Sequence, residues 1–306
     1  MTVSFLPWVN ASHIALVGFH SSMIAGCTLT FLNLFFVSTV FGAYKYLIVI
    51  FTSLGIIFAS LEVIFYPNMH SYNSATIYFT LNKPFNLIVY TGFYSATICL
   101  IAIQLLYRYW TVFDVHKLRF FQGCYVLLCV LYVLCFGALW AFGAYNFVKT
   151  DSIAEDYFRK EMLLRYNANM ETLPSLAMVA FNPVNGKIRW GNLMTIVNMS
   201  FIMSIQYGIM IYCGWSMYSK MELKLQSFSV STKIHHRQLF KTLYFNYHCN
   251  TNNILFVPLS FIIYLPFFNM ELSIPTGVLL SGFSLYPAVD SVVVMYIVAE
   301  YRKRLK

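Results

Sequence analysis

Long apolar runs recur through almost the whole of this 306-residue sequence. A helix needs about 20 mostly apolar residues to cross the hydrocarbon core of a bilayer, and seven stretches reach that length. They cover residues 14–36, 46–66, 85–107, 121–145, 191–217, 239–267 and 272–298. Each run is continuous, whereas the strands of a membrane β-barrel alternate between apolar and polar residues. We therefore predict an all-α membrane protein in which residues 1–306 form one domain, a bundle of seven transmembrane helices.

The composition of the chain agrees with a lipid environment. Hydrophobic residues make up 59% of the sequence and charged residues only 10%, whereas soluble domains carry about 25% charged residues. The net charge of +9 is also typical of proteins that bind nucleic acid. Here the bases cluster in the connections beside the apolar runs, where anionic lipid headgroups attract them. We predict a lipid bilayer as partner and no nucleic acid.

The distribution of basic residues predicts the orientation of the chain. With seven spans the two ends face opposite sides, and most of the 20 lysines and arginines lie on the side of the C-terminus. Basic loops remain in the cytoplasm, so we predict that the N-terminus lies outside. The triplet Asn10-Ala11-Ser12 is an N-glycosylation sequon, and Asn10 as a glycan site agrees with this direction.

Three polar residues at membrane depth are candidates for function, because such residues are costly in lipid. Asp290 follows Pro287 by three residues in the last run, and the pair is either a hinge that acts as a switch or a simple packing contact. Glu62 near the end of the second run is either a ligand contact or a packing and snorkelling residue. Arg108, at the end of the third run, is either a polar switch or an interface anchor.

Basic residues in the third cytoplasmic connection have two explanations that the sequence leaves open. Lys233, Arg237 and Lys241 lie there, and they suit either anionic headgroups or the docking of a cytosolic partner.

Enzyme signatures are absent from the sequence. It contains no nucleophile elbow, HExxH motif, P-loop or dinucleotide fingerprint. Its seven cysteines form no CxxC pair, so they fit small packing residues better than metal ligands. We predict a protein that is not an enzyme and that binds neither a metal nor a cofactor.

Four stretches carry a resemblance to a known family. They are YKYLIVIFTSLGIIFASLEVIFYP at Tyr44–Pro67, QLLYRYW at Gln104–Trp110, HRQLFKTL at His236–Leu243 and YPAVDSVVVMYIVAEYRKRL at Tyr286–Leu305. With these motifs and the spacing of the spans, the chain resembles the nematode seven-transmembrane chemoreceptors of the Str and Srj type. Those proteins are G-protein-coupled receptors of sensory neurons.

The resemblance implies a fold, two partners and a location. The fold would be a seven-transmembrane bundle of the G-protein-coupled receptor type. A small odorant would bind outside, a heterotrimeric G protein would couple inside, and the receptor would lie in the plasma membrane of a sensory-neuron cilium. By position, Arg108 would be the switch arginine of the third helix, and Pro287 with Asp290 the switch of the seventh. Tyr301 and Arg302 would close the seventh span and contribute to coupling.

Ligand-contacting residues are predicted from their depth in the outer half of the bundle. The candidates are Glu62, Tyr66, Asn86, Tyr90, Tyr94, Tyr264, Ser281 and Ser284.

Two departures from the family pattern keep alternatives open. The sixth run reads NYHCNTNN at residues 246–253, where the family has a Gln-Thr pair and a proline, and the connection from Asn146 to Arg189 contains no cysteine. The disulfide that joins such a connection to the third span in rhodopsin-like receptors is therefore excluded. The alternatives are a receptor relative that does not signal, a seven-span subunit of a ligand-gated ion channel, and a transporter. The channel subunits place the N-terminus inside, and a transporter would need paired repeats.

Overall fold

The protein was analysed as a computed structural model, which describes residues 3–11, 14–36, 44–81, 87–226 and 256–297. Six helical segments of this part of the chain are long and apolar enough to cross a membrane, and a seventh apolar segment, Val257–Phe268, is shorter. The predicted class, a helix-bundle membrane protein, is confirmed. The sixth predicted span begins at residue 239, so its first part lies outside the described residues.

The helices follow most of the apolar runs, but the structure differs from the predicted seventh span, 272–298, where residues 273–274 form a strand and helix begins at Gly277. In chain order they are α1 (Leu6–Ala11), α2 (Ile14–Phe35), α3 (Tyr44–Phe65), α4 (Leu87–Phe113), α5 (Val126–Phe147), α6 (Ser152–Tyr166), α7 (Trp190–Gln226), α8 (Val257–Tyr264), α9 (Gly277–Ser281) and α10 (Tyr286–Ile297). A 3₁₀ turn, Gly282–Leu285, joins α9 to α10. Helix α4 runs six residues beyond the predicted span, and α6 is an additional helix within the connection that follows the fourth span.

Four short strands form a sheet that the sequence analysis did not predict. They are β1 (Asn68–Tyr72), β2 (Ala75–Phe79), β3 (Ser175–Val179) and β4 (Ser273–Ile274), in the antiparallel order β3-β2-β1-β4. Strands β1 and β2 form a hairpin in which Tyr72 pairs with Ala75. Its two-residue turn begins with Asn73 at a positive φ of 48°, a conformation that asparagine tolerates better than most residues.

Helix α6 lies over the sheet and has a capped residue at each end. The Asp151 side chain accepts a hydrogen bond of 3.0 Å from the Ala154 amide, and Asn167 ends the helix in the left-handed conformation. Both caps satisfy backbone groups that a helix end leaves unpaired. The sheet, α6 and the N-terminal segment together are called the cap below.

Close helix contacts hold the first, second and last spans together. A β-carbon added to Gly55 of α3 would lie 2.7 Å from the ring of Pro287 in α10, and one added to Gly18 of α2 would overlap Ser284. The Ser22 hydroxyl of α2 also donates a hydrogen bond of 3.1 Å to the Ser284 carbonyl. Small residues and interhelical hydrogen bonds of this kind are typical of helix association in membranes.

Candidate ligand-binding cavity

An apolar cavity of about 110 Å³ lies between the bundle and the cap. Tyr90 and Tyr94 of α4, Trp140 of α5, Met199 of α7 and Ile262 of α8 form its helical walls. Trp140 is only 3% exposed and Ile262 only 1%. The walls therefore come from four helices that are far apart in the sequence, and they line a partly open space whose surface is mostly apolar.

The sheet forms the remaining wall because its strands alternate. Thr76 and Tyr78 of β2 and Leu176 and Met178 of β3 face the cavity. The residues between them face the other way and belong to a second core with α6 and the N-terminal segment. These residues are Ala75, Ile77, Phe79, Ala177 and Val179. Both faces of the sheet are thus buried, one by the cavity and one by α6.

A polar cluster adjoins the cavity at the end of α3. Glu62 is fully buried, and its Oε1 accepts a hydrogen bond from the hydroxyl of Tyr90. The second carboxylate oxygen of Glu62 and the hydroxyl of Tyr94 are buried without a hydrogen-bond partner among the described residues. Since buried polar atoms are normally paired, these two atoms can bind a ligand group that donates and accepts hydrogen bonds.

Aromatic contacts connect the cavity to the last span. The Tyr94 ring lies 6.1 Å from that of Trp140 and 5.3 Å from that of Phe283, between ring centroids. Phe283 is fully buried in the turn that leads into α10. Tyr94 therefore contacts both a wall of the cavity and the segment that precedes Pro287 and Asp290.

The predicted ligand residues separate into two groups. Tyr90 and Tyr94 line the cavity, and Glu62 reaches it through Tyr90. The Glu62 side chain has no exposed surface, so it does not snorkel, and a ligand contact and a packing role both remain open for it.

The other predicted ligand residues make structural contacts elsewhere. Tyr66 donates a hydrogen bond of 2.5 Å to the Val9 carbonyl. Ser284 bonds to the Ser281 carbonyl within the last span, and the Tyr264 hydroxyl pairs with Ser200 of α7 at 2.6 Å. Asn86 lies outside the described residues.

The predicted switch residues lie in a different part of the bundle. Pro287 and Asp290 line a pocket of about 250 Å³ together with Gln104 of α4 and Ser291. Arg108 lies on α4, although its side chain is outside the described part of the structure. The coupling residues predicted from the sequence are also outside it, namely Lys233, Arg237, Lys241, Tyr301 and Arg302. Asn10, the predicted glycan site, is exposed on α1.

A buried ionic cluster holds the cap together. Oε1 of Glu161 accepts hydrogen bonds from Arg165 at 3.0 Å and Ser273 at 2.6 Å, and it lies 3.4 Å from Nε2 of His70. The Tyr166 hydroxyl lies 3.1 Å from Nδ1 of the same histidine. Burial lowers the pKa of His70 from 6.5 to about 4, although the Glu161 carboxylate opposes this shift. His70 is therefore neutral at pH 7.

The N-terminal segment is fastened to this cluster. The Phe5 amide donates a hydrogen bond of 2.8 Å to the Arg165 carbonyl, and Nη1 of Arg165 donates one of 2.6 Å to the Val3 carbonyl. The Phe5 ring lies 4.8 Å from the Arg165 guanidinium carbon. With the Tyr66–Val9 bond, these contacts close the cap over α6 and the sheet.

Several cavity residues were missed by the sequence analysis. Nothing in the sequence distinguishes Trp140 from the other aromatic residues of the apolar runs. The side of an all-apolar helix that faces the cavity depends on how the helix packs. Tyr78 and Met178 were missed because the sheet was not predicted. The turn residues Asn73 and Ser74, followed by the strand-forming run ATIYF, were the available signal for the hairpin.

Comparison with known proteins identifies relatives along almost the full length of the chain. Residues 11–306 match the family described as "Serpentine type 7TM GPCR chemoreceptor Str". The chain is 32% identical over 304 residues to "G-protein coupled receptor str-33" of Caenorhabditis elegans, covering 94% of this chain and 88% of the relative. It is 26% identical over 301 residues to "Serpentine receptor class r-10" of the same species, covering 92% and 88% of the two chains.

Proposed function

Because the chain belongs to the Str family of serpentine seven-transmembrane chemoreceptors, we propose that it is a chemosensory G-protein-coupled receptor whose odorant binds in the cavity beneath the sheet. A heterotrimeric G protein couples at the opposite end of the bundle. The resemblance stated from the sequence is confirmed by the family match, and the chain is a multi-pass membrane protein of a receptor family.

The apolar cavity beneath the sheet is the observation that carries this proposal. An apolar cavity of about 150 Å³ in another protein binds benzene, so a space of about 110 Å³ suits an odorant no larger than such a ring. The Tyr94 hydroxyl, which belongs to a lining residue and has no partner among the described residues, supplies one of the few polar groups that small-molecule sites use for orientation. The ligand is thus small and mostly apolar, with one hydrogen-bonding group.

Contacts within the bundle support a route for the signal. Tyr94 touches both Trp140 and Phe283, and Phe283 precedes α10 with its Pro287 and Asp290. A ligand that binds more tightly when this aromatic group is displaced shifts the equilibrium between two positions of α10. Arg108 on α4 takes the role of the switch arginine in this scheme.

The orientation and location are part of the same proposal. The cap and the N-terminus face outside, the basic connections face the cytoplasm, and the receptor lies in the plasma membrane of a sensory-neuron cilium. Exposed Asn10 then carries a glycan. Treatment with an N-glycosidase should increase the electrophoretic mobility of the wild type and leave an Asn10→Gln variant unchanged. Equal mobility of the untreated proteins would contradict this orientation.

A screen in reporter cells tests the function. Cells that express the chain and a G-protein-dependent reporter are exposed to small volatile and water-soluble odorants. We expect a response to at least one small apolar compound and, for that compound, a loss of at least tenfold in potency with Trp140→Ala. The matched control is Trp215→Ala, because Trp215 is 71% exposed on α7 and its loss leaves the cavity intact.

Two results would contradict the proposal. One is an equal potency of both tryptophan variants at equal surface expression. The other is an undiminished response of an Arg108→Ala variant, which would remove Arg108 from the switch.

A further inference from the structure

The cap separates the cavity from the solution at that end of the bundle. Strands β2 and β3 cover the cavity with one face, and α6 packs Phe158 and Met162 on the other. Both of these residues are fully buried. A molecule that came from the water straight through the sheet would have to break the contacts between the strands and α6.

A groove of about 310 Å³ opens beside the cavity, between α7 and α8. Ile263 belongs to the walls of both. The groove faces the lipid side of the bundle, since Tyr264 is 41% exposed and Val257 is 55% exposed. The cavity and the groove therefore adjoin at Ile263.

Hydroxyl groups line this groove at membrane depth. They belong to Ser200, Ser204, Tyr207, Ser260 and Tyr264. Polar groups that face hydrocarbon are costly and usually serve a function. A hydroxyl-lined passage suits a molecule that is apolar enough to dissolve in lipid and carries one hydrogen-bonding group.

Two contacts connect α7 and α8 across the groove. The hydroxyls of Ser200 and Tyr264 form a hydrogen bond of 2.6 Å, and the rings of Tyr207 and Phe256 lie 4.8 Å apart. Met199, beside Ser200 in the chain, lines the cavity. Tyr264 also follows Ile263, the residue that lines both the groove and the cavity, so the hydrogen bond is formed by neighbours in the chain of two cavity residues.

We propose that the ligand reaches the cavity from the bilayer, through the groove between α7 and α8, and that the Ser200–Tyr264 hydrogen bond is the latch of this passage. The proposal rests on the function proposed above and adds the class of ligand: small, uncharged molecules that partition into lipid. Charged or strongly hydrated molecules are excluded by the route before they meet the cavity.

A photolabelling experiment tests the route without a known ligand. The full-length receptor in lipid vesicles is mixed rapidly with 3-trifluoromethyl-3-phenyldiazirine, an uncharged aryl probe that dissolves in bilayers. A light flash follows after a set delay, and labelled residues are mapped by mass spectrometry. Trp140 reports on the cavity and Trp215 on the lipid surface, so each sample carries its own reference.

Two variants change the latch in opposite directions. Ser200→Trp fills the passage, and we expect cavity labelling at short delay to fall at least fivefold while Trp215 is labelled as before. Tyr264→Phe removes only the hydrogen bond, and we expect the cavity to be labelled about fivefold faster, the factor that corresponds to one hydrogen bond. Tyr132→Phe is the matched control, since it removes a bond of 2.9 Å to Gln206 on another side of α7.

The possible outcomes test the lateral entry route and the proposed binding cavity separately. Equal cavity labelling in the wild type and all variants would overturn the lateral route and leave the cavity as the binding site. Faster labelling in Tyr132→Phe and Tyr264→Phe alike would also overturn it, because the latch would have no special role. An unlabelled cavity in the wild type, with a labelled lipid surface, would overturn both the route and the proposed binding site.

Discussion

Lowering the pH should destabilise the folded cap, because it protonates His70. Burial lowers the pKa of this histidine from 6.5 to about 4, so the folded cap favours the neutral ring. The stabilisation is complete above the unfolded pKa of 6.5 and is lost as the pH falls from 6.5 towards 4. The whole shift corresponds to about 3 kcal/mol, and the loss between pH 7.5 and pH 5 is about 2 kcal/mol.

Hydrogen exchange of the β1 and β2 amides measures this loss. After correction for the intrinsic effect of pH, a loss of ~2 kcal/mol lowers amide protection about thirtyfold between pH 7.5 and pH 5. His70→Gln keeps a donor near Glu161 and does not titrate, so its protection should be nearly constant over this range. His116→Gln is the matched control, because His116 lies exposed outside the cap, and it should respond like the wild type.

The reasoning would be refuted by an undiminished fall of protection in His70→Gln. A wild-type cap that is equally protected at both pH values would refute it as well, since the buried neutral histidine would then contribute nothing.

Two further predictions concern packing in the bundle. Gly18→Ala should lower the melting temperature because the new methyl group overlaps Ser284. The control is Gly208→Ala, whose methyl group meets no atom within 4 Å and should leave the melting temperature unchanged or raise it. Equal melting temperatures of the two variants would contradict the close contact. Tyr90→Phe should cost about 1–3 kcal/mol by leaving the Glu62 carboxylate without its donor. Adding Glu62→Leu should recover part of that cost, and strictly additive losses in thermal unfolding would contradict the pairing.

The helical part of the fold is predictable because lipid imposes a simple rule. A spanning segment must be long, apolar and helical, and the runs at α2, α3, α4, α5 and α7 obey it. The cap is not subject to this rule. Strand β1 reads NMHSY and is only five residues long, so neither its composition nor its length distinguishes it from a loop. Its pairing with β4, about 200 residues later, depends on the assembled bundle.

The sequence predicts how deep a candidate residue lies in the membrane, but not whether its side chain faces the cavity. Tyr90 and Tyr94 are four residues apart, which places them on one face of α4, and both line the cavity. Ser284 lies at a similar depth, yet it packs against α2. Helices that are apolar on all sides carry no pattern that identifies the inward face, so only the packing of neighbours separates these cases. The burial of Glu62 beside Tyr90 follows from the same packing.

A structure of the receptor with an activating odorant from the reporter screen tests the location of the binding site most directly. We expect ligand density beneath the sheet, between the rings of Tyr94 and Trp140 and within hydrogen-bonding distance of the Tyr94 hydroxyl. Density in the pocket beside Gln104 and Asp290, with an empty cavity beneath the sheet, would contradict it.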